Sequence, residues 1–159
     1  MLNTLERRHI LRAAGAAGAA AVAGLAVTDS AQADDGRSAV TGAWVVTHQD
    51  DPPGDPNPGK AVVTLGPGGL LENVEIAPPE GVGAGSWTSL GGGRFKAVFL
   101  TGSPGQSPGE PDAIAEIRPS GRARGDRISG KYTVAVSNAT TGEVLFTGTG
   151  TFHGTRLEA

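Results

Sequence analysis

Glu143-Val144-Leu145-Phe146-Thr147-Gly148-Thr149-Gly150-Thr151-Phe152-His153-Gly154-Thr155-Arg156-Leu157 changes character at every second residue. Val144, Phe146, Gly148, Gly150, Phe152, Gly154 and Arg156 fall on one side of an extended chain. Leu145, Thr147, Thr149, Thr151, His153, Thr155 and Leu157 fall on the other. A two-residue period held over this length is that of a β-strand, whose side chains point to opposite faces in turn. Three glycines share one face, and glycine weakens a strand. Their spacing therefore implies sharp coiling, or close approach by another element or a ligand.

The same period extends toward the N-terminus. Arg127–Ser137 sets Ile128, Gly130, Tyr132, Val134 and Val136 against Ser129, Lys131, Thr133, Ala135 and Ser137. Asp112–Arg124 precedes it across a tight Gly125-Asp126 turn. Arg94–Thr101 places Phe95, Ala97 and Phe99 on one face, and pairs with Gly85–Leu90 across Gly91-Gly92-Gly93. Lys60–Leu65 and Leu70–Ile76 form a hairpin across Gly66-Pro67-Gly68-Gly69, where glycine tolerates the positive φ that such turns require. Gly42–His48 is the first strand. Asp50–Gly59, Ala77–Gly83 and Gly102–Pro111 are dense in proline and glycine and read as loops. No helical period survives between these breakers.

Eight strands joined mostly by short connections predict an all-β fold. An open meander leaves two bare edges, and closure into an eight-stranded antiparallel up-and-down barrel removes them. A two-sheet β-sandwich is the alternative. A barrel of eight strands has room inside for side chains or for one small ligand.

The first 33 residues stand apart from this pattern. Arg7, Arg8 and Arg12 form a basic segment, Ile10–Val27 is a weakly apolar run, and Ala31-Gln32-Ala33 supplies the small residues that signal peptidase reads. The expectation is a cleavable signal peptide over 1–33, a flexible polar leader over 34–41 and the barrel over 42–159. Leu5-Glu6-Arg7-Arg8-His9-Ile10-Leu11 resembles the twin-arginine export motif. That resemblance implies passage through the twin-arginine translocase, cleavage by signal peptidase, and a free protein outside the cytoplasmic membrane. The apolar run is 18 residues long and carries Arg12, which argues against a retained anchor. Cysteine is absent, so neither a lipid-modified cysteine nor a disulfide framework is possible. The 126 residues after Ala33 hold 10 of the 13 Lys and Arg and 14 of the 16 Asp and Glu, a net charge of −4. No basic stripe with interleaved aromatics is present, which disfavours nucleic acid as a partner.

Gly42-Ala43-Trp44 opens the first strand and Arg156 lies near the end of the last. On these residues and the eight-strand plan the chain resembles the lipocalin-like, or calycin, barrels. The resemblance implies that the Arg156 side chain packs across Trp44 and that Gly42, Trp44 and Arg156 close one barrel end, a cation–π arrangement. The chain is also similar to small secreted actinobacterial proteins with the plan Gly42–Trp44, Pro67–Gly69, Gly83–Trp87 and Gly150–Arg156. It departs from the ligand-transport lipocalins in being short, in showing no helix after the barrel and in lacking their disulfide.

Chemistry-bearing motifs are sparse. His48 shares a face with Trp44, whereas His153 faces away from Arg156, so the two histidines point to different sides and no shared metal site is expected. Gly83-Ala84-Gly85-Ser86-Trp87 fails the nucleophile-elbow pattern at its last position. No cofactor motif is present. Glu116 opposes Ala113, Ala115 and Ile117; turned inward near Tyr132 it would serve as a general acid or base. Three functions follow. The leading one is binding of a small apolar or amphipathic molecule by Trp44, Trp87, Phe95, Phe99, Tyr132 and Phe152. The second is a cyclase or isomerase acting on a secondary metabolite, with Glu116 or Tyr132 moving a proton. The third is a ligand-free barrel working through its Pro/Gly-rich loops.

Overall fold

Each of the eight alternating segments is a strand. They are β1 (Gly42–Asp50), β2 (Gly59–Leu65), β3 (Leu70–Ala77), β4 (Gly81–Gly91), β5 (Arg94–Ser103), β6 (Ala113–Arg124), β7 (Arg127–Asn138) and β8 (Val144–Arg156). Every strand pairs with its sequence neighbours, and β8 pairs antiparallel with β1, closing the barrel. The computed structural model describes residues 39–79, 81–105, 107 and 110–158. The expected signal peptide, with Arg7, Arg8, Ala31 and Ala33, lies outside the described residues, as do residues 34–38 of the leader. No helix occurs among the described residues.

Most strand ends fall within two residues of the sequence expectation, Asp50 and Gly59 among them, which lie in β1 and β2 and not in the loop between; two boundaries differ in substance. β4 begins at Gly81, not Gly85, because Gly83 and Gly85 face inward beneath Phe99 and continue the ladder with β3 and β5. A Cβ on Gly83 would stand 2.8 Å from the Phe99 ring, so this glycine run marks a crowded strand and not a loop. The leader also ends earlier. Val40 is fully buried and Ala39 and Thr41 are bound to the barrel, so these three residues belong to the folded domain.

One end of the barrel is plugged. Val40, Trp44, Leu65, Leu71, Trp87, Phe95, Ala123 and Ile128 form a continuous buried cluster there. Both indoles find polar partners despite their burial: Trp44 Nε1 donates to Val40 O at 3.0 Å, and Trp87 Nε1 to Gly66 O at 2.8 Å. The Arg156 guanidinium sits 4.2 Å from the centre of the Trp44 ring. It donates to the carbonyls of Thr41 at 2.6 Å and Ala39 at 2.8 Å, which fastens the chain entering β1 across the end of β8. Gly42 has φ +135°, and a Cβ there would run into Nη1 of Arg156, so both backbone conformation and space require glycine.

Removing Arg156 strips two partly buried carbonyls of their donor and uncovers the Trp44 ring. Arg156→Ala is expected to lower unfolding stability by about 2–4 kcal/mol, read by urea denaturation, with Arg156→Lys recovering only a minor part because an ammonium cannot fork between two carbonyls. Equal stability of Arg156→Ala and the parent would overturn this account of the plug.

Candidate functional site

Toward the other end the lumen is open. A cavity of about 220 Å³ lies between the plug and the loops that follow β1, β3 and β5. Its walls are mostly apolar, built from inward residues such as Ala61, Val63, Phe99, Ile117, Val134 and Val136. Of the six positions singled out for ligand contact, Phe95, Phe99, Tyr132 and Phe152 lie in its wall. Trp44 and Trp87 do not. Their size and their hydrogen bonds to Val40 and Gly66 commit them to the plug.

Polar side chains gather at the open end, and two glycines make their meeting possible. Tyr132 on β7 is directly opposite Gly150 on β8, and Gly150 is directly opposite Asp50 on β1. With no side chain on the middle strand, the phenol passes over β8 and donates to Asp50 Oδ1 at 2.5 Å. A Cβ at Gly150 would overlap the phenol. On the other flank, His48 on β1 faces Gly59 on β2 and reaches over it to Glu75 on β3, with Nε2 3.0 Å from Oε2. A Cβ at Gly59 would overlap the imidazole. Asn73, also on β3, donates Nδ2 to Glu75 Oε1 at 3.0 Å. The His48 and Tyr132 rings approach edge to face, with centroids 6.3 Å apart. The result is a continuous belt of Asn73, Glu75, His48, Tyr132 and Asp50 along one side of the cavity.

Tyr132 holds its proton unusually tightly. Burial holds its phenol pKa far above the ordinary value of 10, and the hydrogen bond and negative charge of Asp50 push in the same direction. Glu116 is elsewhere. It lies on the outer face of β6, where its Oε1 accepts from Arg118 Nε at 2.7 Å, with 40% of its side chain exposed. The inward placement that an acid–base role would need is therefore not found, because the alternation of β6 turns Ala113, Ala115 and Ile117 inward instead. His153 is exposed on the outside of β8, and His48 lies inside. Among the described residues no group of three or more His, Cys, Asp or Glu is placed to hold a metal ion. No family model, no curated protein and no solved structure matches the chain.

Sequence reasoning missed Asn73, Glu75 and Asp50 as site residues. The inward face of β3 is its more polar one, and only the register with β2, Val63 opposite Asn73 and Ala61 opposite Glu75, shows which face is inside.

The chain holds one tyrosine, so its ionisation can be followed without ambiguity. The folded state keeps the Tyr132 proton more tightly than the unfolded chain. That contribution to stability is complete below pH 10 and is lost as the pH rises above it. Tyrosinate absorbance is therefore expected to stay absent through pH 10 and to appear together with unfolding. In Asp50→Asn it should appear at lower pH but still above 10, because burial, the larger cause, remains. A free-tyrosine titration curve in the folded parent would contradict the buried Tyr132–Asp50 pair.

Proposed function

We propose that this chain is a lipocalin-like barrel that binds one small amphipathic molecule in its lumen. The observation that carries the reading is the cavity: an apolar chamber sealed at one end by the Trp44–Arg156 plug and bordered at the other by a belt of polar groups. Apolar walls with a few convergent polar groups are the usual makeup of a small-molecule site. At about 220 Å³ the chamber exceeds the roughly 150 Å³ that houses a benzene in an engineered core, and is smaller than the roughly 300–1,000 Å³ of drug-sized sites. The ligand is accordingly small. A loop-driven, ligand-free barrel has less in its favour, since such a protein would fill its lumen with side chains. Proton-transfer catalysis also has less in its favour: Glu116 lies outside, and the Tyr132 proton is held by Asp50.

Native mass spectrometry with organic extraction, on protein recovered from its own host, tests the binding reading. A stoichiometric small molecule is the expected result. Ala115 lines the chamber, so Ala115→Phe should fill it and abolish binding of a neutral probe such as phenethyl alcohol, at a stability cost of about 1–3 kcal/mol with the β-sheet circular dichroism unchanged. An empty protein that also ignores the neutral probe would sink the reading.

We further infer that the product works outside the cytoplasmic membrane, on the strength of Arg7-Arg8 and Ala31-Gln32-Ala33. N-terminal sequencing of exported protein should begin at Asp34, and replacing both Arg7 and Arg8 by Lys should leave uncleaved precursor in the cells. Unimpaired export of the double variant would refute the twin-arginine route.

A further inference from the structure

The binding reading leaves the chemistry of the ligand open, and the cavity wall narrows it. Among the described residues no Lys or Arg lines the chamber, whereas Asp50, Asp55 and Glu75 do. With His48 neutral the lining carries three negative groups; with His48 protonated it is still net negative.

The hydrogen-bond inventory points the same way. The Tyr132 hydroxyl gives its only proton to Asp50. Asp50 Oδ2 accepts from the Asp55 backbone N–H at 3.4 Å. Glu75 accepts from Asn73 on one oxygen and meets His48 Nε2 on the other. What remains unfilled on Asp50, Glu75 and the Tyr132 oxygen is acceptor capacity.

Asn73 adds an independent demand. It is 5% exposed, the one buried polar residue among those described, and it lines the chamber. Because Nδ2 must be the atom facing the Glu75 carboxylate, the amide orientation is settled and Oδ1 is its other end. That oxygen accepts no hydrogen bond from any described residue. A buried acceptor left without a donor carries a desolvation cost that a ligand N–H would relieve.

Strand β3 shows that this polarity is maintained against the hydrophobic preference. It turns Asn73 and Glu75 inward and leaves Leu70, Val74 and Ile76 at 57%, 39% and 45% exposure. Departures from burial preference concentrate at functional sites.

Resting on the binding reading above, we propose that the chamber is a site for a small protonated amine, its aryl or alkyl body against the apolar wall and its ammonium among Asn73 Oδ1, Glu75 and Asp50. Anionic amphiphiles of the same body, such as carboxylates, are rejected by the same groups. An ammonium has three donors and no acceptor, which complements a wall with acceptors to spare.

Phenethylamine, phenethyl alcohol and hydrocinnamate share one body and differ in head group, and calorimetric titration of the full folded chain at neutral pH separates the cases. The amine is expected to bind about tenfold or more tighter than the alcohol, with no detectable binding of the acid. Glu75→Gln and Asn73→Leu should each lower amine affinity toward that of the alcohol, with unchanged β-sheet circular dichroism showing that the barrel is intact. Alcohol binding equal to or tighter than amine binding would overturn the amine assignment alone. So would binding of the acid, or an amine preference that survives both substitutions. Failure of all three compounds to bind would overturn the lumen-binding reading together with it.

Discussion

Neighbouring strands in a sheet lie about 4.8 Å apart, so an inward side chain can extend sideways over the next strand only where that strand carries no side chain. This constraint organises the lumen. Gly150 lets Tyr132 cross β8 to Asp50, Gly59 lets His48 cross β2 to Glu75, and Gly121 and Gly130 lie beneath the ring of Phe152. Rings laid along the wall do not project into the centre. The same glycines that permit the polar belt therefore keep the chamber empty, and the glycine-rich face of β8 serves cavity and closure together.

The two ends of the barrel solve opposite problems. At the plug, strand ends converge on two indoles, and Arg156 ties the incoming chain at Ala39 and Thr41 to the last strand. This links residues more than a hundred positions apart and gives the β1–β8 seam a fastening beyond its backbone ladder. At the mouth, the β1–β2 loop is held on the outside of the barrel. Asp51 N donates to Thr149 O at 2.8 Å, and Thr149 Oγ1 donates to Asp51 Oδ2 at 2.6 Å. The loop is drawn onto the outer wall there, while Asp55 and Asn57 further along it remain part of the chamber lining.

The strand count, order and closure were legible in the sequence because alternation is a local signal and edge protection is a general one. The faces of β1, β7 and β8 were legible for the same reason: His48 and His153 fall on opposite sides, and Trp44 lies on the side of Arg156. Three things were not. Gly81–Gly83 looked like part of a loop, since nothing local tells a glycine that makes a turn from one that makes room for Phe99. Trp44 and Trp87 looked like ligand contacts because alternation gives the inward face but not the height along the barrel axis. The belt itself was hidden, for it depends on the register of β1, β2, β3, β7 and β8, and no spacing along the chain encodes a contact between residues 50 and 132.

On β3, hydrophobicity and pairing disagree. Its Leu70, Val74 and Ile76 argue for one face inward and the fold takes the other, because β2 contributes Ala61, Val63 and Leu65 to the lumen and pairing then dictates the partner face. A strand whose pairing overrides its own hydrophobicity brings Asn73 and Glu75 into the barrel at a cost that apolar residues on that face would avoid. Tyr132, His48 and Asn73 offset part of that cost by meeting the two carboxylates, yet they leave the Asn73 oxygen unmatched. A barrel selected only for stability has no reason to hold such an imbalance beside an open chamber. An acceptor-rich wall next to apolar space is what a cationic amphiphile would complete, so Asn73, the one buried polar residue among those described, is also the most informative.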